Sequence, residues 1–217
     1  MKTNTYKSTG LMLILLSLTL SVTQCSEGEG MDQLTALENE ISEIDTLSKQ
    51  LSEDEIRGII FMREEEKLAR DVYLYLYEMY SLGPFTNISK SEQAHMDAIK
   101  YLIDTYNLED PVGENPEGSF QNEELQQMYD DLIVMGSKSK VDALKVGALI
   151  EEVDIIDLQH ELDSIAENED IKRVYQNLCN ASENHLRAFF RVLGANNVAY
   201  EPVKLEQEIF DRIINED

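Results

Sequence analysis

Apolar residues recur at steps of three and four along six stretches of this chain, and each stripe predicts an amphipathic helix. The first stripe is Leu34, Leu37, Ile41, Ile44, Leu47 and Leu51. The next helix opens on the capping-box pattern Ser52-Glu53-Asp54-Glu55 and runs to about Tyr80, where Gly83-Pro84 should stop it. Its inward stripe is Ile59, Met62, Glu66, Ala69, Tyr73, Leu76 and Tyr80; Glu64 and Glu65 fall off it. From about Thr86 to Tyr106 the stripe is Ile88, Glu92, His95, Ile99, Leu102 and Tyr106. From about Ser139 to Ser164 it is Leu144, Ala148, Glu151, Ile155, Leu158 and Leu162, with Asp154 bordering the same face. Glu152 points about 100° away, with Lys145, Leu149 and Ile156. From about Glu169 to Leu193 it is Ile171, Val174, Leu178, Ser182, His185, Phe189 and Val192, and Gly194 reads as the stop. A last helix, from about Val203 to Ile214, carries Leu205, Ile209 and Ile213.

These periods imply an all-α protein built on a four-helix bundle over 52–202. A Pro/Gly-rich loop at 107–122 and a shorter helix near Asn122 to Met135 make a long crossover between the second and third bundle helices, which lets those two run parallel. Residues 25–51 form a tether and an amphipathic helix, and 203–217 a C-terminal helix. The stripe at 34–51 reads either as a homodimer contact or as a helix lying on the bundle. Two to three heptads are too few for a coiled coil.

Composition narrows the partners. The chain holds 43 Asp and Glu against 18 Lys and Arg, no Trp, and only 10 Gly and 4 Pro. An acidic surface excludes nucleic acid, whose phosphates need a basic face. The N-terminus reads as a targeting segment. Lys2 and Lys7 precede an apolar run, Leu11 to Leu20, too short to span a bilayer. Cys25 follows it, as in a bacterial lipoprotein signal, although Gln24 stands where a small residue is usual. The expectation is a signal peptide over 1–24, export to the cell envelope, and a membrane anchor through lipidated Cys25. A plain secretory signal with an incidental cysteine is the alternative. Cys179 reads as a small buried helix residue.

The candidate chemistry lies on the inward stripes. A carboxylate or imidazole on an apolar face is costly unless compensated. Four helices each carry such an intrusion: Glu66; Glu92 with His95; Glu151 with Asp154; and Ser182 with His185. Glu92-x-x-His95 places both groups on one helix face, about 5–6 Å apart at Cβ. One shared compensator, a pair of metal ions, accounts for all four. Tyr73, two turns past Glu66, is placed to pack in the core and to hydrogen-bond a ligand carboxylate. His160 falls off the stripe and reads as surface.

Glu66 with Tyr73 seven residues on, Glu92-x-x-His95, the crossover, a third-helix glutamate and His185 together resemble the ferritin-like superfamily of bacterioferritin and rubrerythrin. The runs EEEKLARDVYLYLYEMY, KSEQAHMDAIKYLIDTY, DALKVGALIEEVDIIDLQ and NHLRAFFRVL look like an uncharacterised ferritin-like family of bacteria and archaea, over roughly residues 55–202. That resemblance implies two iron ions, with manganese or zinc as alternatives, held by Glu66, Glu92, His95, Glu151, Asp154 and His185. Glu92 and Glu151 would bridge, and the histidines would each cap one metal. Activity toward oxygen, peroxide or ferrous iron would follow. The departure is Ser182, where the pattern expects a glutamate. Asp154 supplies the missing carboxylate, or the second site is weaker, or the centre is lost. A metal store without turnover and a metal-free interaction module on a lipid anchor are the competing expectations.

Overall fold

The computed structural model describes residues 51–164 and 168–216. Among them are six helices and no strand: α1 (Glu53–Tyr80), α2 (Gly83–Thr105), α3 (Glu123–Gly136), α4 (Lys140–Ser164), α5 (Glu169–Ala195) and α6 (Gln207–Asn215). The expected leader, Cys25 and the stripe up to residue 50 lie outside the described residues. No described helix is long and apolar enough to cross a membrane.

Local chemistry sets the helix ends. The Ser52 hydroxyl accepts the Glu55 N–H at 3.2 Å while the Glu55 carboxylate accepts the Ser52 N–H at 2.8 Å. This satisfies two donors that a bare helix start would leave orphaned. α1 stops at Ser81, which turns left-handed at φ 52. Gly83-Pro84, expected as the stop, instead opens α2, because proline's missing N–H costs nothing in a first helical turn. Two residues between α1 and α2 force them antiparallel. α5 continues through Gly194 to Ala195, and the left-handed residue beyond it is Asn197 at φ 58.

α1 packs along α2 and α4 along α5, and the two pairs meet through α1–α4 and α2–α5. Ile59, Met62, Leu76, Phe85, Ile99, Leu102, Ile155, Leu158 and Leu193 are fully buried between them. Each such side chain contributes about 1.5–3 kcal/mol. The rings of Tyr73, Phe85 and Phe189 meet at centroid distances of 5.5–5.9 Å. Gly147 admits them, since a Cβ there would collide with the Phe189 ring.

The middle of α1 is buried on every side, so Glu64 and Glu65, placed off the stripe, are as buried as Glu66. The crossover covers the outer face and is fastened by charge. Arg63 donates to Asp110 at 3.0 and 3.1 Å and to the Met96 carbonyl at 2.8 Å. Glu64 accepts the N–H groups of Gln121 and Asn122 at 2.5 and 3.0 Å. Lys67 donates to Asp71 at 2.5 Å and to the Pro116 carbonyl at 2.9 Å, and Asp71 accepts the Gly118 N–H at 2.9 Å.

The C-terminal helix starts later than its apolar pattern suggests. Glu152, fully buried on α4, accepts the N–H groups of Val203, Lys204 and Leu205 and the Tyr200 hydroxyl, at 2.5–3.0 Å. The helix itself begins only at Gln207.

Candidate metal centre

Periodicity brings the predicted side chains to one place. Glu66 comes from α1, Glu92 and His95 from α2, Glu151 and Asp154 from α4, and Ser182 and His185 from α5, all buried. Two groups converge closely enough to hold an ion: Glu66, Glu92 and His95; and Glu92, Glu151 and His185. Glu92 belongs to both. Its Oε2 lies 2.8 Å from His95 Nδ1, and its Oε1 lies 3.0 Å from His185 Nδ1. Glu66 Oε2 approaches His95 Nδ1 at 3.0 Å, and Glu151 Oε2 approaches His185 Nδ1 at 3.4 Å. The imidazoles stack with centroids 5.5 Å apart.

The surroundings orient these groups. Tyr73 donates to Glu151 Oε1 at 2.5 Å, which fixes that carboxylate. Ser91 Oγ faces the other ring nitrogen of His95 at 3.4 Å. Ser182 donates to Asp154 Oδ2 and to the Leu178 carbonyl. Ser182 on α5 therefore positions a carboxylate sent across from α4. Asp154 itself joins neither three-residue group, and Glu151 joins only the one with His185. His160 is exposed and Cys179 buried, as expected.

Protons carry the charge balance of the free protein. Burial opposes ionisation throughout. For His95, the Glu66 and Glu92 carboxylates outweigh burial and lift it to about 11; for His185, Glu151 and Glu92 lift it to about 10. Burial also pushes Glu92 upward, but hydrogen bonds from His185 and His95 overcome it and take it to about 2. Burial, only partly countered by His95, raises Glu66 to about 7. Burial and the neighbouring charges of Glu66 and Glu151 push Asp154 well up, and burial with the Glu92 charge raises Glu151.

The donor set fits cations. Three buried carboxylates, Glu66, Glu92 and Glu151, approach two imidazoles, and Asp154 and Glu65 are buried on the same helices. Oε1 of Glu66, Oδ1 of Asp154 and both oxygens of Glu65 are buried without a hydrogen-bond partner in the protein. Native proteins seldom leave such atoms orphaned without an ion, a water or a functional reason. Oxygen-rich donors with one imidazole per position suit iron or manganese. Sequence reasoning passed over Glu65. The signal was a second apolar stripe, Phe61, Leu68 and Val72, on which Glu65 also lies.

Fold and site together define an all-helical protein whose buried carboxylate–histidine clusters could hold metal. The chain belongs to the family described as an uncharacterized protein domain, DUF2202, whose model matches residues 55–217. That match includes α6, which the resemblance over roughly 55–202 left outside as a flank. The chain is 50% identical over 173 residues to an uncharacterized protein, MJ0754, of Methanocaldococcus jannaschii, covering 79% of this chain and 93% of the relative. It is also similar to the crystal structure of a hypothetical protein from Methanococcus jannaschii. That likeness has a TM-score of 0.75 and 49% identity, covering 77% of this chain and 95% of that one.

Proposed function

We propose that this protein is a ferritin-like four-helix bundle with a dinuclear metal centre, and that iron is the expected metal, with manganese or zinc chemically compatible. Glu92 would bridge. Glu66 and His95 would hold one ion, Glu151 and His185 the other, and Asp154 would stand in for the glutamate replaced by Ser182. The observation that carries this reading is that Glu92 offers one oxygen to each histidine, at 2.8 and 3.0 Å, inside a buried cluster with orphaned donor atoms.

Bound iron would supply Lewis acidity and one-electron redox capacity toward oxygen, peroxide or ferrous iron. The chain's own residues would do the rest. Tyr73 holds Glu151 in one orientation, Ser182 holds Asp154, and the packed aromatic side chains exclude bulk water. Export to the envelope on a lipidated Cys25 completes the proposal, supported by Lys2, Lys7 and the apolar run before the cysteine.

Elemental analysis tests the centre. Purified protein should carry about two metals per chain, and a Glu92→Ala/His95→Ala double variant none. After anaerobic loading with ferrous iron, the wild type should consume oxygen or peroxide faster than His95→Ala. Ser182 favours a second reading, a metal store without turnover. Two metals with equal rates would select it. A chain that purifies metal-free and gains no stability from added iron would be an interaction module.

A further inference from the structure

A second row of acidic groups leads away from the centre between α1 and α4. Glu65 is 4% exposed, and neither of its oxygens has a partner. Asp154, 5% exposed, also leaves Oδ1 without one. Asp154, Asp157 and Glu161 succeed one another at steps of three and four along one face of α4, and Glu65 lies among them, its carboxyl pushed well up by burial and by the Asp154 and Asp157 charges. Asp157 is half-buried, and the Glu161 side chain reaches solvent at 18% exposure beside the exposed His160. Gly58 on α1 makes room at this outer end, since a Cβ there would collide with the Glu161 carboxylate. Arg57 at the same end is engaged by Asp54. The buried hydroxyl of Tyr175 has no hydrogen-bond partner, and Glu161 and Glu65 act on it too.

Burying two carboxylates with unmet oxygens is expensive and contributes nothing to packing. The outer-face charges of α1 show that this fold supplies partners where it needs only stability. We infer that Glu161, Asp157, Glu65 and Asp154 form an internal path along which a divalent cation reaches the centre, with Glu65 as its buried station. Among the described residues this row closes into no three-ligand cluster of the kind the centre has. That suits transfer rather than residence, because an ion held too well does not move on.

This inference rests on the dinuclear reading, and the test separates the two. Cobalt(II) binding to metal-free protein is followed by stopped-flow absorbance, with final stoichiometry from equilibrium titration. Glu65→Gln should reach the wild-type stoichiometry but load roughly tenfold or more slowly, the scale on which lining charges alter entry rates. Glu208→Gln, an exposed acid on α6 with the same change in net charge, should load at the wild-type rate. Equal rates for Glu65→Gln and wild type would overturn the path. So would equal slowing by Glu208→Gln, or loss of a metal at equilibrium in Glu65→Gln, which would make Glu65 a ligand. Should Glu65→Gln fail to fold, Asp157→Asn and Glu161→Gln carry the test: slowed loading supports the path, and wild-type rates in both refute it. If wild type binds no cobalt, the dinuclear reading itself fails.

Discussion

Two sets of buried charge sit within a few residues of each other on α1 and α4, and they are treated in opposite ways. Arg63, Glu64, Lys67, Asp71 and Glu152 are all matched by protein donors or acceptors, largely backbone groups of distant loops. Glu65, Glu66 and Asp154 are equally buried and carry oxygens with no partner. The first set fastens loops to helices. The second is stable only with protons or cations in attendance. Burial alone therefore does not distinguish a structural charge from a functional one; the satisfaction of its oxygens does.

The contrast predicts opposite responses to mutation, and the largest should come from the matched set. Glu152→Ala orphans four donors in one step. It should cost about 3 kcal/mol or more in denaturant unfolding. A loss below ~1 kcal/mol would show that the loop at 203–205 does not depend on this carboxylate.

Metal should act on the other set. At a hundredfold excess over Kd, iron or manganese should stabilise the wild type by about 2.7 kcal/mol, and the Glu92→Ala/His95→Ala variant not at all. Calorimetry showing the same gain in both would break the comparison.

That gain should depend on pH with a definite sign. Glu66 ionises at about 7 in the folded chain, against about 4.3 unfolded. The folded state thus holds the extra proton, and metal-free stability should fall as pH rises between those values. His95 and His185, raised to about 11 and 10, contribute stability that is fully present below about 6.5 and lost as pH rises through 10 to 11. Glu92, held at about 2, runs the other way, but only in acid below about 4.3. Metal must displace the protons on Glu66 and both imidazoles, so affinity should increase with pH. Melting curves at pH 5 and 8, with and without metal, should show a wider gap at pH 8. A narrower gap would contradict the assignment.

The smallest effect has the most informative sign. Glu65→Leu removes a carboxylate with no partner and should raise metal-free stability by about 1 kcal/mol. Destabilisation in the absence of metal would mean that Glu65 has a structural partner.

Much of this was legible in the chain. Glu66, Glu92, His95, Glu151 and His185 interrupt apolar stripes at helical period, and a repeating geometry carries over directly into three dimensions. Helix starts at Ser52 and Asn122 were readable because caps are local. Ser182 was readable as a departure, but its hydrogen bond to Asp154 links α5 to α4 and has no local signature. Glu64 and Glu152 answer to backbone donors more than forty residues away, so their burial could not be inferred from neighbours.

The tail beyond residue 202 cannot be trimmed without consequence. Its N–H groups close over Glu152, immediately next to Glu151, and Arg212 reaches Glu183, immediately next to Ser182. A shortened expression product ending at 202 would leave the Glu152 carboxylate with the Tyr200 hydroxyl but without its three backbone donors, one residue from the candidate centre. The helices around the candidate centre therefore draw on contacts that run as far as the last helix.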